Sequence, residues 1–399
     1  MKGVSLPRLK ILVLACLAFS YALANDITVW TSFQEPEFSW LAVEASEFEA
    51  IFDVSIDIVP LELGEIKKQM LVGGEAEDAA DIILPIPHDQ IVEMAEEGVL
   101  LDLSRFTTAA YLADLAKPAR QAFTLSGGLH GLPLFVDGPA LIVNRSFVER
   151  PPDSYESFLQ TALANTEGER YGFLFDITNL YFAYAVIRGA GGYVFGFDEQ
   201  GDVDPSDVGL ATDAAVQGVM RLRELAHEHE LVPPGIDYRA AHELFKQGKV
   251  AMTLNGPWAV PEYLEAGIDL MVLPLPNGAQ DSVNAGFMAG YGVLASAFSE
   301  RKSTVANLAK WLTRAEAQAR LAAVSGRIPA APEAAAKLPP ESPERGFAEA
   351  LHLAEPVPSV PEMGLVWGPI GAALQELLHD AEADTASVLA QAVARIRGD

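Results

Sequence analysis

Soon after its N-terminus the chain begins to alternate strand patterns with helix patterns, and this alternation restricts the fold more than any other feature. Residues 26–30, 54–59 and 80–84 have the short apolar or alternating character of strands. Residues 40–52 and 65–72, which separate them, carry apolar side chains at helical spacing. Strand–helix–strand units at this spacing predict the parallel sheet of an α/β fold, with ligands bound beyond the carboxyl ends of its strands.

The same alternation returns in the second half of the chain. Strand patterns near residues 172–175 and 250–254 accompany helix patterns near residues 212–228 and 240–247. We therefore expect two α/β lobes, each with a mostly parallel sheet flanked by helices.

Extended segments rich in Pro, Gly and apolar residues separate these halves. They are residues 132–144 and 270–287, with a third at 326–330. We interpret them as crossings between the lobes that form a multi-strand hinge. Three crossings mean that neither lobe is continuous in sequence.

Residues 1–24 have the composition of a secretory signal peptide. Three basic residues precede an apolar run at residues 11–23, and Ala24 ends a small-residue cleavage site. The run is shorter than the roughly 20 apolar residues that a spanning helix needs. We expect an exported protein of the periplasm or cell envelope, with a lipoprotein acylated at Cys16 as the alternative.

Cysteine content and charge exclude several classes of function. Cys16 is the only cysteine and lies in the signal, so the mature protein would have no disulfide and no cysteine-ligated metal. The chain has 27 Lys and Arg against 55 Asp and Glu, a net charge of −28. Such a surface repels nucleic acid and acidic lipid headgroups. Neutral ligands remain, and no cofactor is implied.

Several motifs occur together in an order typical of one family. The most specific is Asn-Gly-Pro-Trp, which ends at Trp258 and follows an apolar strand pattern. The others are Ala80-Asp81-Ile82-Ile83 before His88-Asp89, Gly131-Leu132-Pro133 before Leu141-Ile142-Val143-Asn144, Leu180-Tyr181-Phe182 before Gly189-Ala190-Gly191-Gly192-Tyr193, and a Pro-rich bend before Trp367. Together they resemble the maltose/maltodextrin-binding proteins, the extracellular solute-binding proteins of ABC sugar importers.

The resemblance implies two lobes that close over an oligosaccharide. It places residues 25–137 and 285–329 in an N-terminal lobe, and residues 138–284 and 330–399 in a C-terminal lobe. It also implies a monomeric receptor without enzymatic activity. This receptor would deliver a malto-oligosaccharide, or a similar α-linked oligosaccharide, to the membrane subunits of an ABC permease.

The resemblance also assigns candidate ligand contacts. Trp258, Tyr181 and Trp367 are carried over as flat platforms for the apolar faces of sugar rings. Asp89 and Asp137 are carried over as carboxylates that accept hydrogen bonds from sugar hydroxyls. We therefore expect aromatic stacking combined with polar contacts at the ring edges.

Other positions depart from the family pattern or allow a structural role. Gln90 stands where the family has an arginine, and Asn179 stands where it has a glutamate, so the particular sugar stays open between maltose and other α-linked di- or trisaccharides. Tyr181 could belong to an aromatic core instead. Asp89 could cap a helix beginning near residue 90.

Two other classes of function find little support in the sequence. Acidic pairs suitable for glycoside hydrolysis are easy to find among so many carboxylates, and the common nucleophile, zinc-protease and phosphate-binding motifs are missing from the sequence. His227 and His229 are two residues apart, a spacing that does not place them on one helix face. We therefore expect a non-enzymatic receptor with no metal site.

Overall fold

The computed structural model describes residues 26–73, 79–198, 202–233, 235–276 and 286–398. The expected signal peptide, residues 1–24 with Cys16, lies outside the described residues, as does the expected lobe boundary at residues 284 and 285. Within the described ranges, no helix combines the length and the apolar character needed to cross a membrane.

Strands and helices alternate along most of the chain. The strands are β1 (Asp26–Thr31), β2 (Ser55–Pro60), β3 (Ile82–Pro87), β4 (Thr124–Leu125), β5 (Gly128–Leu129), β6 (Leu132–Asp137), β7 (Ala140–Asn144), β8 (Phe195–Phe197), β9 (Val203–Val208), β10 (Met252–Asn255), β11 (Leu270–Leu273), β12 (Phe287–Ala295), β13 (Ile328–Pro329) and β14 (Glu355–Pro356). The helices are α1 (Glu37–Phe52), α2 (Leu63–Gly73), α3 (Ile91–Glu96), α4 (Ala109–Ala113), α5 (Lys117–Ala122), α6 (Tyr155–Ala164), α7 (Leu180–Gly189), α8 (Asp213–Arg223), α9 (Tyr238–Lys246), α10 (Val260–Glu265), α11 (Lys302–Leu312), α12 (Ala315–Ser325), α13 (Pro332–Ala336), α14 (Pro343–Leu351), α15 (Met363–His379) and α16 (Thr385–Arg397). Short 3-10 turns cover His88–Gln90, Leu103–Phe106 and Pro257–Ala259, and a π turn covers Glu224–Glu228.

The larger sheet has the strand order β13-β6-β12-β3-β1-β2, and β14 pairs with β12. Strand β1 runs parallel to both β2 and β3, as the strand–helix–strand pattern predicts. Every residue of β3 is buried, which is typical of a strand covered on both faces.

The smaller sheet has the strand order β10-β7-β11. Strand β7 runs antiparallel to both neighbours, and the larger sheet is mixed because β12 runs antiparallel to β3 and β6. The sheets thus differ from the mostly parallel arrangement expected from the sequence. The physical reason is that β7 starts where the chain arrives from the larger sheet, whereas β10 ends there, so that Ala140 lies opposite Asn255.

Residues 172–175 do not form the strand expected from the sequence. They lie beside β10, and the main-chain N–H of Leu174 donates to the carbonyl oxygen of Met252 at 3.0 Å. A Cβ on Gly172 would lie 1.7 Å from the carbonyl oxygen of Ala162. The end of α6 therefore crosses directly over this glycine, and the backbone bends instead of continuing as a strand.

The described part of the chain passes between the two sheets several times, and three of these passages come before β14. Strand β6 leads through Gly138 and Pro139 into β7, and β12 follows β11. A Cβ on Gly138 would lie 2.5 Å from the carbonyl oxygen of Phe287, so these two passages run side by side. In the third passage the chain runs from β13 in the larger sheet to α14. Helix α14 packs against β11 of the smaller sheet, and a Cβ on Gly346 would lie 2.0 Å from the carbonyl oxygen of Val272.

Strand β14 returns to the larger sheet, which the sequence patterns do not indicate. It pairs in parallel with the start of β12, with Glu355 opposite Phe287. The buried His88 holds the next residues, because its Nδ1 accepts the N–H of Gly290 at 3.1 Å and its Nε2 lies 2.9 Å from the carbonyl oxygen of Val357. Burial lowers the pKa of His88, which favours the neutral ring that these two bonds require. The segment that leads into α15 is thereby fixed beside β12.

Candidate functional site

Four aromatic side chains form a continuous row where the two sheets meet. The ring centroids of Trp258 and Tyr181 lie 6.4 Å apart, and those of Tyr181 and Phe287 lie 6.1 Å apart. Phe287 in turn contacts Trp367, with centroids 5.8 Å apart and planes at 66°. The three aromatic residues singled out in the sequence thus lie close together, connected through Phe287. We refer to Trp258, Tyr181, Phe287 and Trp367 as the aromatic row.

Trp258 is the most exposed member of the aromatic row. It lies in the 3-10 turn after β10, and 42% of its surface is exposed. A Cβ on Gly256 would lie 2.1 Å from the indole ring, so glycine at this position makes room for the ring. The Nε1–H group donates to the hydroxyl oxygen of Tyr238 at 2.9 Å. An exposed apolar face held by a polar edge is suited to ligand stacking.

Tyr181 is positioned by the start of α7. The side chain of Asn179 accepts the main-chain N–H of Tyr181 at 3.0 Å and so caps the helix. Phe182 packs edge-on against Tyr181 and is itself buried. Tyr181 is half-buried and packs against the hydrophobic core, and it also contacts Trp258 and Phe287 of the row. Asn179 uses its side-chain oxygen for the cap and keeps its amide donors.

Asp137 lies at the end of β6, beside the aromatic row. Its Oδ1 accepts the N–H of Gly138 at 3.0 Å. Burial raises the pKa of Asp137 to about 6, and the nearby Arg327 guanidinium opposes this shift. Burial also raises the pKa of Tyr181, with a further contribution from the charge of Asp137. The effect of Asp137 on Tyr181 indicates that the carboxylate lies within electrostatic reach of the row.

Asp89 and Gln90 lie in the turn that follows β3. Asp89 is exposed, and Gln90 is half-buried. Gln90 occupies the N-cap position of α3, and no side chain caps the N-terminus of this helix. The capping role considered for Asp89 is therefore not observed. Burial raises the pKa of Tyr291, and the charges of Asp137 and Asp89 add to the shift, so both carboxylates lie within electrostatic reach of this tyrosine. No ring contact or hydrogen bond joins Gln90 to the aromatic row among the described residues.

Several residues at the site were not identified from the sequence. Tyr291 stacks on Phe135 with centroids 4.6 Å apart and planes at 14°, and the guanidinium of Arg327 lies 4.8 Å from the Phe135 centroid. Phe287 completes the aromatic row, and Tyr238 binds Trp258. One signal was available for Phe287 alone, since this residue ends the extended segment 270–287 that the sequence marks as a crossing.

A cluster of ionisable residues on α9 and α10 lies behind Tyr238. Side-chain atoms of His242, Glu243 and Glu262 that could bind a metal lie within 4.8 Å of one another. The Nζ of Lys246 donates to Glu243 at 2.7 Å and to Glu262 at 3.1 Å. A single ammonium group therefore forms ion pairs with both carboxylates, and the cluster is an ion-pair network.

Comparison with known proteins gives matches along most of the chain. A model of the family described as bacterial extracellular solute-binding protein matches residues 45–349. A galactooligosaccharide-binding protein of Bacillus subtilis is 27% identical over 397 residues, which cover 96% of this chain and 91% of the relative.

Solved structures share the fold. A maltotriose-binding protein of Thermus thermophilus, bound with maltotriose, is 35% identical with a TM-score of 0.69, covering 93% of this chain and 99% of the other. A cyclo/maltodextrin-binding protein complexed with maltotetraose is 29% identical with a TM-score of 0.85, covering 94% and 96%. This likeness confirms the two-lobed α/β fold expected from the sequence. The family model spans well over half of the chain. This chain therefore belongs to the family of bacterial extracellular solute-binding proteins.

Proposed function

We propose that this protein captures a malto-oligosaccharide at the aromatic row and delivers it to an ABC importer. The observation that carries the proposal is the row itself, in which Trp258, Tyr181 and Trp367 lie together and Trp258 keeps an exposed face. The names of the solved relatives, which bind maltotriose and maltotetraose, support the same class of ligand.

The chemistry of the site suits a neutral sugar. A sugar ring has apolar C–H faces and a rim of hydroxyls, so it requires flat platforms together with polar groups at their edges. One stacked ring that hides about 50 Å² of apolar surface contributes about 1 kcal/mol. Micromolar binding requires about −8 kcal/mol, so the polar rim must supply most of the affinity. Asp137, Asp89 and Arg327 are charged groups that we assign to this rim.

The proposed lobes follow the boundaries expected from the resemblance. Residues 25–137 with 285–329 would form the N-terminal lobe, and residues 138–284 with 330–399 the C-terminal lobe. The direct passage from β6 into β7 supports a boundary near residue 137. In this division the three platforms belong to the C-terminal lobe and Asp137 to the N-terminal lobe, so a ligand would touch both.

The proposal includes the setting in which the receptor works. A protein exported by the signal at residues 1–24 would meet sugars outside the cytoplasm and pass them, as a monomer, to permease subunits. Membership of an extracellular solute-binding family supports this placement. A receptor of this kind releases its ligand unchanged, so we expect no hydrolysis of the bound oligosaccharide.

A second candidate ligand is a galacto-oligosaccharide. The Bacillus subtilis relative of that name matches almost the whole chain. Gln90 and Asn179 stand where the maltodextrin-binding pattern has charged residues, and this difference is compatible with a different sugar. The aromatic row alone does not distinguish the two, because stacking uses the apolar ring face that both sugars present.

Calorimetric titration with maltose, maltotriose, maltotetraose and a galacto-oligosaccharide tests the proposal. We expect the tightest binding for a malto-oligosaccharide, and analysis of the recovered sugar should show no new reducing ends. Tightest binding of the galacto-oligosaccharide would support the second candidate. Failure of every sugar to bind, or release of shorter products, would contradict the proposed function.

A further inference from the structure

We propose that Tyr238 is a positioning residue that fixes the plane of the Trp258 indole. The importance of this role for ligand capture rests on the proposed function, but the role itself concerns the ligand-free protein. The inference starts from the hydrogen bond between the Nε1–H of Trp258 and the hydroxyl oxygen of Tyr238, which measures 2.9 Å.

The hydrogen bond restrains a side chain that is partly open to solvent. Trp258 is 42% exposed, and Gly256 leaves open the space in which its ring lies. An exposed side chain in a short turn has rotational freedom that must be lost when a ligand stacks on it. A bond to the indole N–H removes part of that freedom before the ligand arrives.

Tyr238 is itself held by contacts with two neighbouring rings. One face stacks on Phe182, with centroids 5.7 Å apart and planes at 11°, and the ring of His242 lies 5.9 Å from it at 27°. The main-chain N–H of Tyr238 donates to Oδ2 of Asp176 at 3.2 Å. Oδ1 of Asp176 in turn accepts the hydroxyl of Thr178 at 2.7 Å.

These contacts connect the support of Trp258 with the support of Tyr181. Phe182 contacts Tyr181 edge-on at 5.6 Å, and Tyr181 contacts Trp258 at 6.4 Å. Tyr181, Phe182, Tyr238 and Trp258 thus form a closed ring of four aromatic side chains from three separate segments. Movement of Tyr238 would change the angle between two of the proposed platforms, which is 41° here.

Tyr238→Phe tests the inference because it retains the stacked ring and removes only the hydroxyl. The indole N–H signal of Trp258, assigned by its loss in Trp258→Phe, should shift upfield in the ligand-free variant and exchange faster with water. Tyr111→Phe is the matched control, since it removes a tyrosine hydroxyl that bonds Oγ1 of Thr313 at 2.8 Å elsewhere in the fold. The control should leave the indole signal unchanged. An unchanged indole signal in Tyr238→Phe would overturn the inference.

A double-mutant cycle separates positioning from direct contact with the sugar. Loss of one hydrogen bond predicts that Tyr238→Phe binds the best ligand about three- to tenfold more weakly, with the melting temperature retained. In a Trp258→Phe background, which has no indole N–H, the same substitution should have almost no further effect on affinity. An equal loss in both backgrounds would show that Tyr238 acts on the sugar directly and would overturn the positioning role. If no sugar binds at all, the proposed function fails, and the indole signal alone decides the role of Tyr238.

Discussion

At the scale of single residues, the carboxyl group of Asp137 has an unusually high pKa. It lies beside Tyr181 and Tyr291, and burial raises its pKa from 3.8 to about 6 in spite of the nearby Arg327 guanidinium. The native state therefore holds this proton more tightly than the unfolded chain does. The proton on Asp137 makes its full contribution to the stability of the native state below pH 3.8, and this contribution is lost as the pH rises through about 6.

We predict that Asp137→Asn stabilises the protein at neutral pH. An amide does not ionise, so the variant avoids the cost of a buried charge, which corresponds to at most about 3 kcal/mol for a shift of this size. Thermal unfolding should show a higher melting temperature for the variant at pH 7.5. The difference should vanish near pH 3.5. A variant that is less stable than the natural protein at pH 7.5 would show that the ionised carboxylate stabilises the fold.

The same titration should appear in ligand affinity. An ionised carboxylate accepts stronger hydrogen bonds than a protonated one, so the proposed sugar contact weakens as the pH falls through about 6. We expect about fivefold weaker binding at pH 5 than at pH 7.5, measured by calorimetry with the best ligand. Asp137→Asn should bind weakly with little pH dependence. An undiminished pH dependence in this variant would assign the effect to another group.

Trp258→Ala should separate binding from folding. The ring is 42% exposed, so its removal costs little stability, but it removes a platform that the proposed ligand covers. We expect at least about tenfold weaker binding and a nearly unchanged melting temperature. Unchanged affinity with a greatly lowered melting temperature would make Trp258 a structural residue.

Sequence reasoning at the residue scale located the side chains that carry local motifs. Trp258 follows Asn-Gly-Pro, and Tyr181 and Trp367 follow recognisable turns. Phe287, Tyr291 and Arg327 could not be identified in this way. None of them carries a special local pattern. Each reaches the site through a residue that is distant in sequence, Phe287 through Tyr181, and Tyr291 and Arg327 through Phe135.

At the scale of elements, a buried glutamate connects three helices of the larger-sheet region. Glu44 on α1 is completely buried, and its carboxylate binds Arg314 at 2.8 Å and Arg320 at 2.5 Å. The Arg314 guanidinium also lies 3.5 Å from the centroid of the Trp311 ring. This network joins α1 to α11 and α12 and contains no member of the aromatic row.

We predict that Glu44→Ala destabilises the fold without weakening ligand binding. Removal of one partner leaves two arginines beside an apolar pocket, which costs about 2–4 kcal/mol after allowance for their partial exposure. Glu47→Ala is the matched control, because Glu47 binds the same arginines with a side chain that is 46% exposed. Its loss should cost less than about 1 kcal/mol. Urea unfolding measures the free energy of unfolding of both variants. Equal losses in Glu44→Ala and Glu47→Ala would contradict the importance of burial.

The elements that the sequence predicted best are those with strong periodicity. Strands β1, β2 and β3 and the helices between them follow directly from alternating and helical spacing. Residues 172–175 look like a strand, but the contact of Gly172 with the end of α6 prevents it. Strand β14 contains only two residues and pairs with β12. The residue that follows it, Val357, contacts His88, which is 269 residues away in sequence. A pairing between segments so distant in sequence produces no local pattern in the sequence of either segment.

At the scale of the whole molecule, the three platforms Trp258, Tyr181 and Trp367 belong to one proposed lobe and Asp137 to the other. A ligand that contacts both favours their approach, since it binds the closed arrangement better than the open one. We predict that the radius of gyration measured by X-ray scattering falls when the best ligand is added. Trp258→Ala at the same ligand concentration should show a smaller change. No change in the natural protein at saturation would contradict closure.

The most direct test of the central claim is a crystal structure with the tightest-binding sugar of the titration panel. We predict sugar rings with their apolar faces against Trp258, Tyr181 and Trp367, and a hydroxyl within hydrogen-bonding distance of Asp137. A sugar bound elsewhere, with these aromatic side chains uncovered, would contradict it.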